Sequence, residues 1–198
     1  MKKEYLILLG VIFLYSCSAS KKMQSKPNVQ DVFFVQKGKK KLVKANDQLT
    51  VAKAPFSLQF HGKRYAENEY NPIRIAALSN QSVYDKVAVG QEKNALANFG
   101  PATGLAGAKQ GYSALFINDY GHHYLYYENE QHRRLKLLND YGDHLFFEFP
   151  ISKFFIDEMF YDIEKAPIST LYLVIFIDRN SDEIMDAGEL TKLVLQLE

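Results

Sequence analysis

A chain of 198 residues with a formal net charge of +1 has no overall field to draw in nucleic acid, and its single cysteine excludes an internal disulfide. With 47% hydrophobic and 24% charged residues it suits one domain with a sizeable core. The aromatic residues, all Tyr or Phe, favour strands over helices.

Charge is unevenly spread along the chain. Residues 21–53 carry nine lysines against Asp31 and Asp47, whereas residues 139–198 carry thirteen acidic residues against four basic ones. A basic arm of this kind suits either an anionic membrane surface or a solvated linker.

Lys2 and Lys3 open the chain, and residues 5–15 form an apolar run of eleven. A spanning helix needs about 20 such residues, so the run has the length of a signal-peptide core. It ends in Leu14-Tyr15-Ser16-Cys17. This segment resembles the lipobox of bacterial lipoproteins, with Leu14 three residues before the cysteine and the small Ser16 directly before it. Tyr15 is bulkier than that family's usual residue. The resemblance implies cleavage after residue 16, diacylglycerol on the Cys17 thiol and acylation of the new amino group. Two or more acyl chains anchor a protein where one does not. Ser18 follows in place of an acidic residue, which in that family implies sorting to the outer membrane, facing the periplasm. The expected organisation is a signal peptide over 1–16, a polar lipid-anchored tether over 17–30 and a globular domain over 31–198.

From residue 31 short apolar runs alternate with turn clusters, the pattern of an antiparallel, mostly β domain built as a sandwich or barrel. Strands are expected over 31–36, 41–44, 56–60, 73–78 and 86–89, the first two joined by a turn at 37–40. A short helix is expected over 92–97, then a Gly- and Ala-rich loop. A meander follows, with strands over 112–117, 122–127, 132–138 and 144–149 and turn residues between them. Phe154, Phe155 and Met159 have helical spacing, so a second short helix is expected over 152–163. Residues 170–177 are the most strand-like of all, an unbroken apolar run suited to a central strand buried on both faces. Residues 190–197 fit either period, and a strand paired with 170–177 is the better reading, because a lone eight-residue helix is marginal.

Between these last two strands the chain reads Asp178-Arg179-Asn180-Ser181-Asp182-Glu183-Ile184-Met185-Asp186-Ala187-Gly188-Glu189. The segment resembles the twelve-residue calcium loop of EF-hand proteins. Asp178, Asn180, Asp182, Asp186 and Glu189 fall on the side-chain ligand positions, and Ile184 falls where the backbone carbonyl serves. Calcium is a hard cation that takes six to eight oxygens, and alternate residues of a curled loop point inward to supply them. One departure is Glu183, at a position that needs φ > 0 and normally holds Gly. The flanks depart too, since they read as strands. The resemblance therefore implies a structural Ca²⁺ closing a β-hairpin, with no helix-hinge switch.

Other features carry less. His61, His122, His123, His132 and His144 lack a zinc-binding spacing, and the glycine-rich segment 100–107 lacks the Gly-Lys-Ser/Thr ending of a phosphate loop. His122, Tyr124 and Tyr126 share one face of the expected meander and form a possible ligand surface for a glycan or peptide. The sequence thus points to an envelope lipoprotein whose β module binds or supports an envelope protein or glycan, without catalysis. The alternative is a small periplasmic hydrolase using His and acidic residues of the 112–149 meander.

Overall fold

The structure, a computed structural model, describes residues 28–63, 72–78, 80–93, 115–117, 135–156 and 159–198. It is mostly β, as the alternating pattern implies, and sandwich-like, with no closed barrel among the described residues. Asn28 to Gln30 already form a turn, closed by the Asp31 N–H on the Asn28 carbonyl at 2.9 Å.

Strands β1 (Val32–Gln36) and β2 (Lys39–Val43) form a tight hairpin. Lys37 and Gly38 both have positive φ, 49° and 74°, which matches the right-handed twist of the flanking strands. Strand β3 (Asp47–Val51) is absent from the expectation, because its Gln and Thr weaken the apolar signal and only Leu49 is buried. β4 (Phe56–Lys63) points Phe56, Leu58 and Phe60 into the core, and β5 (Ile73–Leu78) is buried throughout.

Helix α1 (Gln81–Asp85) comes next, with the Asn80 side chain accepting the Ser82 N–H as its N-cap. The strand expected over 86–89 is not formed; after α1 this stretch is irregular, and Val87 is buried beside Tyr84 and Met185. Of the helix expected over 92–97, Glu92 instead bridges to Ile184 while Lys93 is in a 3-10 turn; residues 94–97 lie outside the described residues.

β6 (Leu115–Ile117) is the end of the strand expected over 112–117. The expected strand over 122–127 lies outside the described residues. β7 (Lys136–Asp140) runs two residues beyond the expected 132–138, and a bulge between Leu137 and Asn139 absorbs the extra length against β8 (His144–Ile151).

The helix expected over 152–163 is overturned. Strands β9 (Lys153–Ile156) and β10 (Met159–Asp162) form a hairpin there, followed by a 3-10 turn (Ile163–Lys165). Phe154 and Ile156, two residues apart, are buried while Lys153 is exposed, so burial follows a period of two. β11 (Thr170–Ile177) and β12 (Leu190–Leu197) pair antiparallel in register Thr170↔Gln196, as expected.

The strands make a five-stranded sheet β2-β1-β4-β8-β7, a four-stranded sheet β3-β12-β11-β5 and a three-stranded sheet β10-β9-β6. All pairs are antiparallel except β3 with β12. The main core lies between the two larger sheets, with Phe60, Phe147 and Phe149 on one side and Leu173, Ile175 and Leu195 on the other. Behind the four-stranded sheet a second cluster joins Val174 and Phe176 to Tyr84, Val87 and Met185. Alternate residues of β11 therefore enter different cores, and the strand is buried on both faces.

Candidate metal centre

The loop 178–189 starts where β11 leaves the sandwich and ends where β12 re-enters it. The Ile177 N–H donates to the Glu189 carbonyl at 3.0 Å, so the loop's two ends are paired. The Asp178 N–H donates to the Pro72 carbonyl at 2.8 Å, which ties the first loop residue to the entry of β5. Met185 is fully buried in the second core and pins the far side of the loop.

Within this frame Asp178 organises the backbone. Its fully buried carboxylate accepts the Ser181 N–H at 2.7 Å and the Glu183 N–H at 3.1 Å. Glu189 does the same from the other end, taking the N–H groups of Arg179 at 2.7 Å and Asn180 at 3.3 Å on Oε1. Its Oε2 is buried and has no hydrogen-bond partner. A buried carboxylate oxygen without a partner is costly and calls for a cation or a donor.

Asp178, Asp182 and Glu189 each offer a carboxylate oxygen, and the three lie within 4.8 Å of one another. Among the described residues this is the only such group of three His, Cys, Asp or Glu side chains. Asp186 stands beside it. The Asn180 amide Nδ2 donates to Asp182 at 2.9 Å and to Asp186 at 3.1 Å, so both carboxylates converge on one point. Asn180 Oδ1 accepts the Asp182 N–H at 3.1 Å and would have to give up that bond to face the same point. The Ile184 carbonyl accepts the Asp186 N–H at 3.0 Å and has a second lone pair. The six residues named from the sequence thus share one loop, three of them with converging carboxylates and Asp186 joined to Asp182 through Asn180. Cys17, His122, Tyr124 and Tyr126 lie outside the described residues.

Glu183 adopts φ +67°, so the left-handed turn that normally asks for Gly is made here by a side-chain-bearing residue. Such a residue costs about 1–2 kcal/mol of backbone strain. Three contacts offset it: the N–H on Asp178, the carbonyl accepting the Lys93 N–H at 2.9 Å, and the carboxylate on Lys93 Nζ at 2.5 Å. The segment 90–93 is laid along the loop, with the Met185 N–H on the Gln91 carbonyl at 2.9 Å and the Gly90 N–H on the Met185 carbonyl at 3.0 Å. The partnership with Lys93, ninety residues away, was not legible from the sequence.

A second polar cluster lies at the end of β4. His61 is 1% exposed, and neither ring nitrogen has a hydrogen-bond partner. Its ring packs against Phe146 at 4.5 Å, His144 at 4.9 Å and Tyr141 at 5.8 Å between centroids. Burial, reinforced by the positive His144, Arg179 and Lys40 and opposed by Asp31, pushes its pKa down to about 4. His144 Nδ1 meets Asp143 Oδ1 at 2.6 Å, and this hydrogen bond holds Asp143 below its ordinary range.

No protein-family model, curated protein or solved structure matches this chain.

Two outcomes test these details. Glu183→Ala removes the charge and keeps the strained backbone, whereas Glu183→Gly removes both. The Gly variant is expected to be the more stable by about 1 kcal/mol in urea unfolding; equal stability would mean that residue 183 stores no strain. His61 gives a pH effect of definite sign. The unfolded chain takes up its proton near pH 6.5 and the folded chain only near 4. Stability therefore falls as pH drops through that window and levels off below it. The loss is about 1–2 kcal/mol after discounting for solvent screening. A His61→Phe variant is expected to lack this component when denaturation midpoints at pH 7 and pH 4 are compared.

Proposed function

We propose that this chain is an exported lipoprotein of the cell envelope, a non-catalytic binding or structural β module with Ca²⁺ in its 178–189 loop. The observation that carries the cation is Glu189 Oε2, buried and unpartnered beside the carboxylates of Asp178 and Asp182. A hard divalent cation gives that oxygen its missing partner and relieves the repulsion among the carboxylates. Asp178, Asn180, Asp182, Asp186 and Glu189 would supply side-chain oxygens and Ile184 its carbonyl. The role is structural, because both flanks of the loop are strands held in one sheet, and the ion would fasten β11 to β12.

The anchor rests on Cys17 and the lipobox resemblance of residues 14–17. It places the domain on the outer membrane, facing the periplasm, with an envelope protein or glycan as partner. His122, Tyr124 and Tyr126 are the candidate contact residues.

The hydrolase alternative has one observation in its favour, the contact between His144 and Asp143. That carboxylate is 84% exposed, however, and water weakens its hold on the imidazole. The binding-module reading is the stronger.

Thermal unfolding with excess Ca²⁺ is expected several degrees above that with chelator, the two curves merging in a Glu189→Gln variant. Superimposable curves for the unmodified chain would remove the cation. Cys17→Ala is expected to move the protein from the membrane pellet to the soluble fraction of lysed cells. A variant that stays in the pellet and takes up labelled fatty acid would end the anchor proposal.

A further inference from the structure

We propose that the cleft between the end of β4 and the start of the 178–189 loop binds a phosphoryl group, held by Arg179, Lys63 and His144. The cleft has a volume of about 280 Å³ and is lined by Val29, Gly62, Lys63, Asp143, His144 and Arg179.

Arg179 carries the argument. Its Nη1 donates to the His61 carbonyl at 3.1 Å. Its Nε is buried without a hydrogen-bond partner. No acidic side chain among the described residues forms an ion pair with it. Glu189 acts on it only at longer range, and its Oε1 is already taken by two backbone N–H groups. Among the described residues this half-buried guanidinium has no direct ion-pair partner, and buried charges in folded proteins are normally paired. Its planar fork of donors fits the oxygens of a phosphoryl group.

The neighbours supply the rest of the charge. Lys63 closes β4 at the cleft wall, exposed and without an ion pair among the described residues. His144 engages Asp143 through Nδ1, which leaves Nε2 as the ring nitrogen available to a ligand. Among the described residues the one carboxylate in the lining, Asp143, is thus hydrogen-bonded to the imidazole. Arg179 and Lys63 together match a dianionic group better than a single carboxylate.

Equilibrium dialysis of the full chain against radiolabelled inorganic phosphate tests the proposal. It is run at constant ionic strength with chelator present, so the result is independent of the cation proposed above. Saturable binding of one phosphate per chain is expected. Arg179→Met is expected to weaken it about tenfold or more, and Lys63→Gln several-fold. Lys136→Gln, an exposed lysine on β7, leaves it unchanged. Lys63→Gln keeps the test decisive if Arg179→Met disturbs the loop, because among the described residues no hydrogen bond depends on the Lys63 ammonium. Absence of saturable binding, or equal binding by the unmodified chain and both cleft variants, would overturn the proposal. Phosphatidylglycerol vesicles added to the loaded protein separate two sources of the same chemistry. Displacement of the label assigns the site to a lipid headgroup, and retention assigns it to a soluble phosphate.

Discussion

Strand β11 is buried on both faces, and the rest of the molecule is arranged to keep it so. Leu171, Leu173, Ile175 and Ile177 face the core shared with the five-stranded sheet, while Val174 and Phe176 enter the cluster behind it. Each such side chain contributes about 1.5–3 kcal/mol on leaving water, so the strand is strongly committed to the interior. Such a strand needs a partner on each edge and cover on each face. β5 and β12 supply the edges. The five-stranded sheet covers one face, and Tyr84, Val87 and Met185 cover the other.

That burial has an electrostatic consequence at the strand's end. Asp178 follows Ile177 directly and is fully buried, so a carboxylate enters the dry region with the strand. Two backbone N–H groups meet it there, and the loop curls around it. Glu189, brought opposite by the β11–β12 register, adds a second buried carboxylate whose Oε2 finds no donor. Arg179 lies between them in sequence but sends its guanidinium out to the His61 carbonyl. The guanidinium and the carboxylates beside it in the chain thus take different hydrogen-bond partners, and Glu189 acts on Arg179 only at longer range.

Much of this was legible from residue patterns. The alternation of apolar and polar residues gave β1, β4, β8 and the hairpin of β11 with β12, because a half-buried strand repeats every two residues. The spacing of acidic residues marked the loop, because inward-facing positions recur at fixed intervals in a tight curl. Other elements escaped. β3 has one buried residue, Leu49, and it is held by parallel pairing with β12, a contact that no local signal encodes. The hairpin of β9 and β10 was concealed by Phe154, Phe155 and Met159, whose spacing fits a helical face equally well. Tertiary burial of Phe154 and Ile156 decides between the two periods. The turn at Glu183 was foreseen as strained, but the Lys93 partner that makes it tolerable comes from a segment remote in sequence.

By itself the sequence determined the β class of the domain, the two-sided burial of residues 170–177 and the grouping of acidic residues over 178–189. These depend on which residue types follow one another, and short-range periodicity records that directly. Tertiary structure alone decided the partners: Lys93 against Glu183, Pro72 against Asp178, and the cleft that sets Arg179 beside Lys63 and His144. Those contacts join residues tens to more than a hundred positions apart. Their energy resides in desolvation and charge geometry, which exist only once the two sheets have closed on each other.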